Sequence, residues 1–183
     1  MNRQAAGRRK LVLVAGLFAL PLLAALALRL GGWAPSLTRN HGQLLAPPVA
    51  LDDLALQQAD GSPYHWRPAE RIFRVAVLAP EGCAGDCAAR LDLLERVWQA
   101  QGRHADQFEV LWFGVLPTGA EAFPGLVPMA GSRAGLAAVR DRLPYPAGAA
   151  ALYVVDPRGF LILAYPPGFD PNGLRKDLAR MLK

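Results

Sequence analysis

Apolar residues run without a charge from Leu11 to Leu28, directly after the basic cluster Arg8-Arg9-Lys10. Eighteen such residues are about what a helix needs to cross a bilayer. A buried soluble helix would leave the absence of charge unexplained. The pattern predicts a transmembrane anchor over residues 11–30, behind a basic tail, residues 1–10, that stays in the cytoplasm while the rest of the chain lies outside the inner membrane, in a periplasm-like space. A signal-peptide core is shorter, about 7 to 15 residues, so we read the segment as uncleaved, with Ala25-Leu-Ala27 as the cleavage alternative. Pro21 is tolerable inside a membrane helix.

Beyond the anchor, residues 31–50 read as a linker, with Trp33 suited to the headgroup layer and Pro47-Pro48 unable to continue a helix. Loose alternation from Leu51 to Trp66 around Asp60-Gly61 predicts a β-hairpin of two short strands, Leu54–Gln57 and Tyr64–Trp66. Ile72–Ala79 is rich in apolar and β-branched residues and reads as a buried central strand, punctuated by Pro80 and Gly82. Leu91, Leu93, Leu94, Val97 and Trp98 then recur at helical spacing. They predict a helix over 86–100 with Asp86 at its N-cap and Arg90, Glu95 and Arg96 toward solvent.

Phe108–Val115 is apolar enough to be buried on both faces, as in a parallel sheet. A long loop follows, then a short helix from Ser132 to Leu143. Ala150–Tyr165 predicts a hairpin turning at Asp156-Pro-Arg-Gly159, and Pro171–Leu182 a terminal amphipathic helix. The order ββ, βα, βα, ββ, α is that of an α/β, thioredoxin-like domain with an N-terminal β-hairpin, here over residues 51–183 and preceded by one transmembrane helix.

The formal charge of +5 and pI of about 9.7 suggest an anionic partner only until they are located. Arg3, Arg8, Arg9, Lys10 and Arg29 carry the whole surplus, and the remaining basic and acidic residues balance. A neutral domain without a clustered basic footprint or a reading motif argues against nucleic acid.

The chemistry that remains centres on the two cysteines, Cys83 and Cys87, in the segment that links the central strand to its helix. Thiols at i and i+4 lie within one helical turn, close enough for a disulfide or for joint ligation of a soft metal ion. A disulfide closing so short a loop adds little stability, because the entropic gain grows with loop length. A thiol at a helix N-terminus is favoured as thiolate, and on that ground Cys87 is the better placed. Redox or metal work and an inert disulfide both remain open. If metal binds, thiolates select Cu(I).

Two cysteines and three scattered histidines fall short of a structural zinc site, and no CxxCH is present for haem. His41 reads as an exposed turn residue, His65 as a packed strand end and His104 as a helix-closing residue. Met129 reads as loop packing, and Trp98, Trp112 and Phe113 as core.

These residues resemble the Sco/SenC group of membrane-anchored, thioredoxin-fold proteins that assemble the copper centre of cytochrome c oxidase. The likeness spans roughly residues 51–182. It rests on Asp60-Gly61 ahead of the central strand, Cys83-x-x-x-Cys87 after it, Leu126-x-x-Met-Ala-Gly131-Ser132-Arg133, and Tyr153-Val-Val-Asp-Pro-Arg-Gly159. The resemblance implies copper as the metal, Cys83 and Cys87 as its ligands or as catalytic thiols, and partners among cytochrome c oxidase subunits or assembly factors.

Gly148 stands where copper-binding members place a histidine, and Leu116-Pro117 where they place Asp-Pro. A third ligand must therefore come from elsewhere or be missing. Ordinary thiol-exchange proteins differ too, with CxxC and a proline directly before the penultimate strand, whereas Pro146 lies several residues early. The expectation is a single-pass inner-membrane protein acting in oxidase assembly through its CxxxC site, by Cu(I) handling or thiol–disulfide exchange. The alternative is a non-catalytic, membrane-tethered interaction domain with a structural disulfide.

Overall fold

The computed structural model describes residues 3–32, 39–80, 82, 85–130, 137, 139–143 and 152–182. They form two compact units, Met1–Arg39 and Asn40–Lys183. The first holds helix α1 (Arg3–Leu30), within which Arg8–Leu30 is long and apolar enough to cross a membrane. Trp33 lies outside the described residues.

The second unit is built on one six-stranded mixed sheet. Its strands are β1 (Gln43–Ala50), β2 (Phe73–Leu78), β3 (Phe108–Phe113), β4 (Leu126–Met129), β5 (Leu152–Val155) and β6 (Phe160–Tyr165), in the spatial order β1-β6-β5-β2-β3-β4. Strand β2 pairs parallel with β3 and antiparallel with β5. Helix α2 (Gly85–Gln99) makes the crossover between β2 and β3, as parallel pairing requires. Helix α3 (Pro171–Met181) closes the chain, its N-cap Asp170 accepting from the Asn172 amide.

Alternate side chains of the sheet enter two separate cores. Val75, Val77, Val110, Trp112, Leu152 and Tyr165 pack with Cys87, Leu91 and Leu94 of α2 and Leu174 and Leu178 of α3. Ala76, Leu111, Phe113, Tyr153 and Leu161 pack on the other face with Leu51, Leu56, Tyr64, Met129 and Val139. Burial on both faces explains why β2 and β3 read as largely apolar runs, interrupted only by Arg74 and Glu109.

Three expectations change. Strand β1 occupies the stretch read as linker, and β4 lies in the stretch read as loop; both are edge strands, where Pro47, Pro48 and Pro128 cost little ladder bonding. The chain does reverse at Asp60-Gly61, but pairing within the hairpin is reduced to a bridge between Gln57 and Pro63. Its first arm instead covers the outer edge of β4, with Gln58 bridged to Met129 and the Ala59 amide donating to the Pro128 carbonyl at 2.9 Å. An otherwise open sheet edge is thereby blunted. Of the helix expected from Ser132 to Leu143, Ala137, Val139 and Arg140 are helical, while Ser132 and Leu136 lie outside the described residues.

One charge is fully buried at the N-terminal end of β2. Arg74 donates to the Tyr64 hydroxyl at 2.7 Å and to the Ile72 carbonyl at 2.7 Å, and stands 5.2 Å over the Trp66 ring. Glu109 Oε2 lies 3.5 Å from its Nε, so the cation enters the core with an acidic partner and several acceptors.

Candidate functional site

Strand β2 delivers the chain to the cysteine segment at a fixed point. The Ala79 amide donates to the Phe113 carbonyl at 2.8 Å, extending the parallel ladder by one bond. Gly114 follows with φ +124°, and a Cβ there would meet the Ala79 Cβ at 3.1 Å and its carbonyl oxygen at 3.3 Å. Only glycine allows that close approach in that conformation. Beyond it, the Trp112 indole Nε1 donates to the Val115 carbonyl at 3.3 Å.

Helix α2 begins at Gly85, so Asp86 stands in its first turn rather than at the N-cap. Cys87 follows at 1% exposure, in the same core as Ala79, Leu91 and Trp112. No free thiol occurs among the described residues. Cys83 lies outside the described residues, as do Gly148 and Pro146. Cys87, which the sequence places better for a thiolate because it sits at the start of the helix, is closed off from solvent.

Arg90, expected to face solvent, is half-buried one turn after Cys87. Its Nη1 is buried with no hydrogen-bond partner among the described residues. Burial pushes its guanidinium below the ordinary arginine value, and the charge of Asp86 works in the opposite direction. Its spacing, i+3 from Cys87 and i+4 from Asp86, was the available signal.

The other candidate ligands are not brought to the cysteines. Met129 is a strand residue rather than loop packing; it is buried in β4 and belongs to the core on the sheet face opposite Cys87. His65 is exposed rather than packed, beside Tyr64, Arg67 and Glu109. Glu109 pairs in register with Arg74, which puts His65 at the end of β2 and β3 away from the cysteine segment. His104 falls in a 3-10 turn (Gly102–Gln107) ahead of β3, at that same far end.

His41 stands just ahead of β1, three strands from β2 or about 14 Å at ordinary strand spacing. Its Nδ1 is 3.1 Å from Asp177 Oδ1. Trp112 and Phe113 are core, as expected, and Trp98 is half-buried against Phe123.

Asp177 is the functional-looking residue that the sequence did not disclose. It is 2% exposed on α3, and Oδ2 accepts from the His41 amide at 2.7 Å, the Gly42 amide at 3.0 Å and the Tyr165 hydroxyl at 2.7 Å. Oδ1 accepts from Arg180 Nη1 at 3.0 Å. Burial works against the charge, but the hydrogen bonds from Gly42, Tyr165 and His41 together outweigh it and hold the carboxyl below its ordinary range. Burial and the neighbouring Asp177 push the Tyr165 phenol up. The cluster ties the start of the second unit to α3 and β6. Its only signal was an acidic residue among Leu174, Leu178 and Met181, on the apolar stripe of a helix.

A family model described as a transmembrane-like, thioredoxin-like, C-terminal domain matches residues 73–183. Among solved structures, the chain is similar to the apo Sco1 protein from Thermus thermophilus at 18% identity and a TM-score of 0.58, with 80% of this chain and 97% of that one covered. It is also similar to Bradyrhizobium japonicum ScoI with copper bound, at 18% identity and a TM-score of 0.52, over 76% and 98% of the two chains. BsSco, a member of the Sco family of cytochrome c oxidase assembly proteins in which a disulfide switch was identified, is similar at 11% identity and a TM-score of 0.54, over 77% and 96%. No curated protein matches the sequence. The fold is thus thioredoxin-like.

Proposed function

This chain belongs to the transmembrane-like, thioredoxin-like C-terminal domain family, matched over residues 73–183, and on that premise we propose that it is a membrane-tethered thiol–disulfide exchange protein of cytochrome c oxidase assembly, with Cys83 and Cys87 as its working pair. The observation that carries this is the placement of Cys87, closed from solvent at the start of α2 where the chain returns from the end of β2. A buried sulfur at the start of the helix supports a two-step exchange in which Cys83 meets the partner and Cys87 releases it.

Copper as cargo is the second reading, supported by similarity to ScoI with copper bound. The residues present fit it less well. Gly148 offers no donor, His41 is engaged by Asp177, and His65, His104 and Met129 belong to other ends or faces of the sheet. Two thiolates hold Cu(I) in linear geometry, whereas Cu(II) wants additional nitrogen or oxygen donors in a tetragonal set. The expected result of a competition titration is weak Cu(I) binding and no stable Cu(II) complex. Gly148→His should strengthen Cu(II) binding, because it restores the donor that the resemblance calls for. Tight Cu(II) binding by the unaltered chain would favour the copper reading over exchange.

The compartment follows from Arg8-Arg9-Lys10 ahead of an apolar span. Residues 40–183 should lie in the periplasm, where disulfides persist. A reporter that is active only in the cytoplasm, fused after Lys183, should be silent. Activity there would remove the oxidising environment that the exchange reading needs.

A further inference from the structure

Charge in the second unit balances as a whole but not face by face. Helix α3 carries one acidic residue, Asp177, which is 2% exposed and engaged by Arg180 and His41. What α3 shows to solvent is therefore basic: Lys176 and Arg180 are exposed and Arg175 is half-buried. Among the described residues, no ion pair or hydrogen bond holds the side chain of Arg175 or Lys176.

Arg96 of α2 adds a further cation beside this face. Its one partner is Asp92, one turn earlier at 2.7 Å, in an exposed pair of the kind that holds a charge only weakly. Between the helices lies a cleft of about 270 Å³, lined by Leu93, Arg96 and Val97 of α2 and Pro171, Asn172 and Arg175 of α3. The lining combines apolar side chains with two guanidinium groups and contains no carboxylate. Asp170, the residue before it, is engaged as the N-cap of α3.

Such a lining suits an anionic head with hydrocarbon beneath it, and the planar fork of arginine matches a phosphate group. The chain itself says which phosphate is at hand. Helix α1 is long and apolar enough to cross a membrane, so a phospholipid surface accompanies the second unit at an effective concentration that a free partner does not reach.

We infer that the α2–α3 cleft and the basic side of α3 form a docking surface for anionic phospholipids of the membrane that holds α1. Arg96 and Arg175 take a lipid phosphate, and Lys176 and Arg180 face the neighbouring headgroups. Docking removes rotational freedom that a tether alone leaves to the domain. The inference goes beyond thiol exchange and does not depend on it; it depends on the anchor.

The test places the full chain in nanodiscs of phosphatidylcholine alone or of phosphatidylcholine mixed with phosphatidylglycerol, and follows acetylation of Lys176 by an uncharged reagent. Mass spectrometry resolves the site, because the only other lysines are Lys10 and Lys183. Acetylation should be about fivefold slower in the anionic discs, the scale of one cation's attraction to such a surface, and about 0.5 M salt should restore the rate. Arg96→Gln combined with Arg175→Gln should abolish the slowing, whereas Arg96→Lys combined with Arg175→Lys should keep most of it. Equal rates in the two kinds of disc would overturn the inference. So would slowing that survives the glutamine pair, because it would come from the surface potential acting on Lys176 alone and not from the cleft.

Discussion

Replacing Asp177 by alanine should destabilise the second unit by about 3–5 kcal/mol, the range for removing one member of a buried charged network and stranding its partners. The Gly42 amide and the Tyr165 hydroxyl lose their acceptor inside the core, and His41 and Arg180 lose their counter-charge. Asp177→Asn keeps one acceptor oxygen and should cost less, about 1–2 kcal/mol. Because the folded-state carboxyl is depressed, its contribution is complete above the unfolded value of about 3.9 and is lost as pH falls through the folded one. Chemical denaturation from pH 7 down to pH 3 should therefore show a stability difference between wild type and Asp177→Asn that narrows with acid. A difference independent of pH would mean that shape, and not charge, is what the cluster needs.

The second large effect is an asymmetry between the two cysteines. Cys83→Ser should abolish covalent capture of a partner, a loss of at least about a hundredfold in the rate of mixed-disulfide formation, because the remaining sulfur is 1% exposed. Cys87→Ser should do the opposite and accumulate the mixed disulfide, since the sulfur that resolves it is gone. Gel mobility of the trapped species in the two variants distinguishes them. Equal trapping by both would mean that Cys87 reaches the surface and that its burial does not order the reaction.

Most of the sheet is legible in the sequence because burial on both faces leaves a continuous apolar signal, as at Val75–Leu78 and Val110–Phe113. The two edge strands were not. Leu44-Leu45-Ala-Pro47-Pro48 and Leu126-Val-Pro128-Met129 each contain proline, which speaks against a central strand but is tolerated at an edge. The hairpin around Asp60-Gly61 was over-read for a related reason: turn chemistry announces a reversal of direction, not how many ladder bonds follow, and here the arm pairs with β4 instead.

At the site, the spacing of Cys83 and Cys87 marked the segment, and no local rule could tell that Cys87 is buried. That depends on α2 lying against β2, β3 and β5, a tertiary fact. Asp177 was invisible for the same reason, since its five contacts come from residues 41–42, 165 and 180. The histidines illustrate the converse. His65 looked like a packed strand end only because a strand was expected there.

The central claim is that Cys83 and Cys87 form one reversible couple, and thiol trapping of the full chain across a glutathione redox series tests it directly. Trapped after acid quenching and unfolding, so that burial does not limit labelling, both thiols should convert together, in a single two-electron transition with a midpoint above about −300 mV, in the range of exchangeable disulfides. A midpoint below that value, or one thiol that stays unreactive at both redox limits, would contradict it and leave a structural disulfide on a tethered interaction domain.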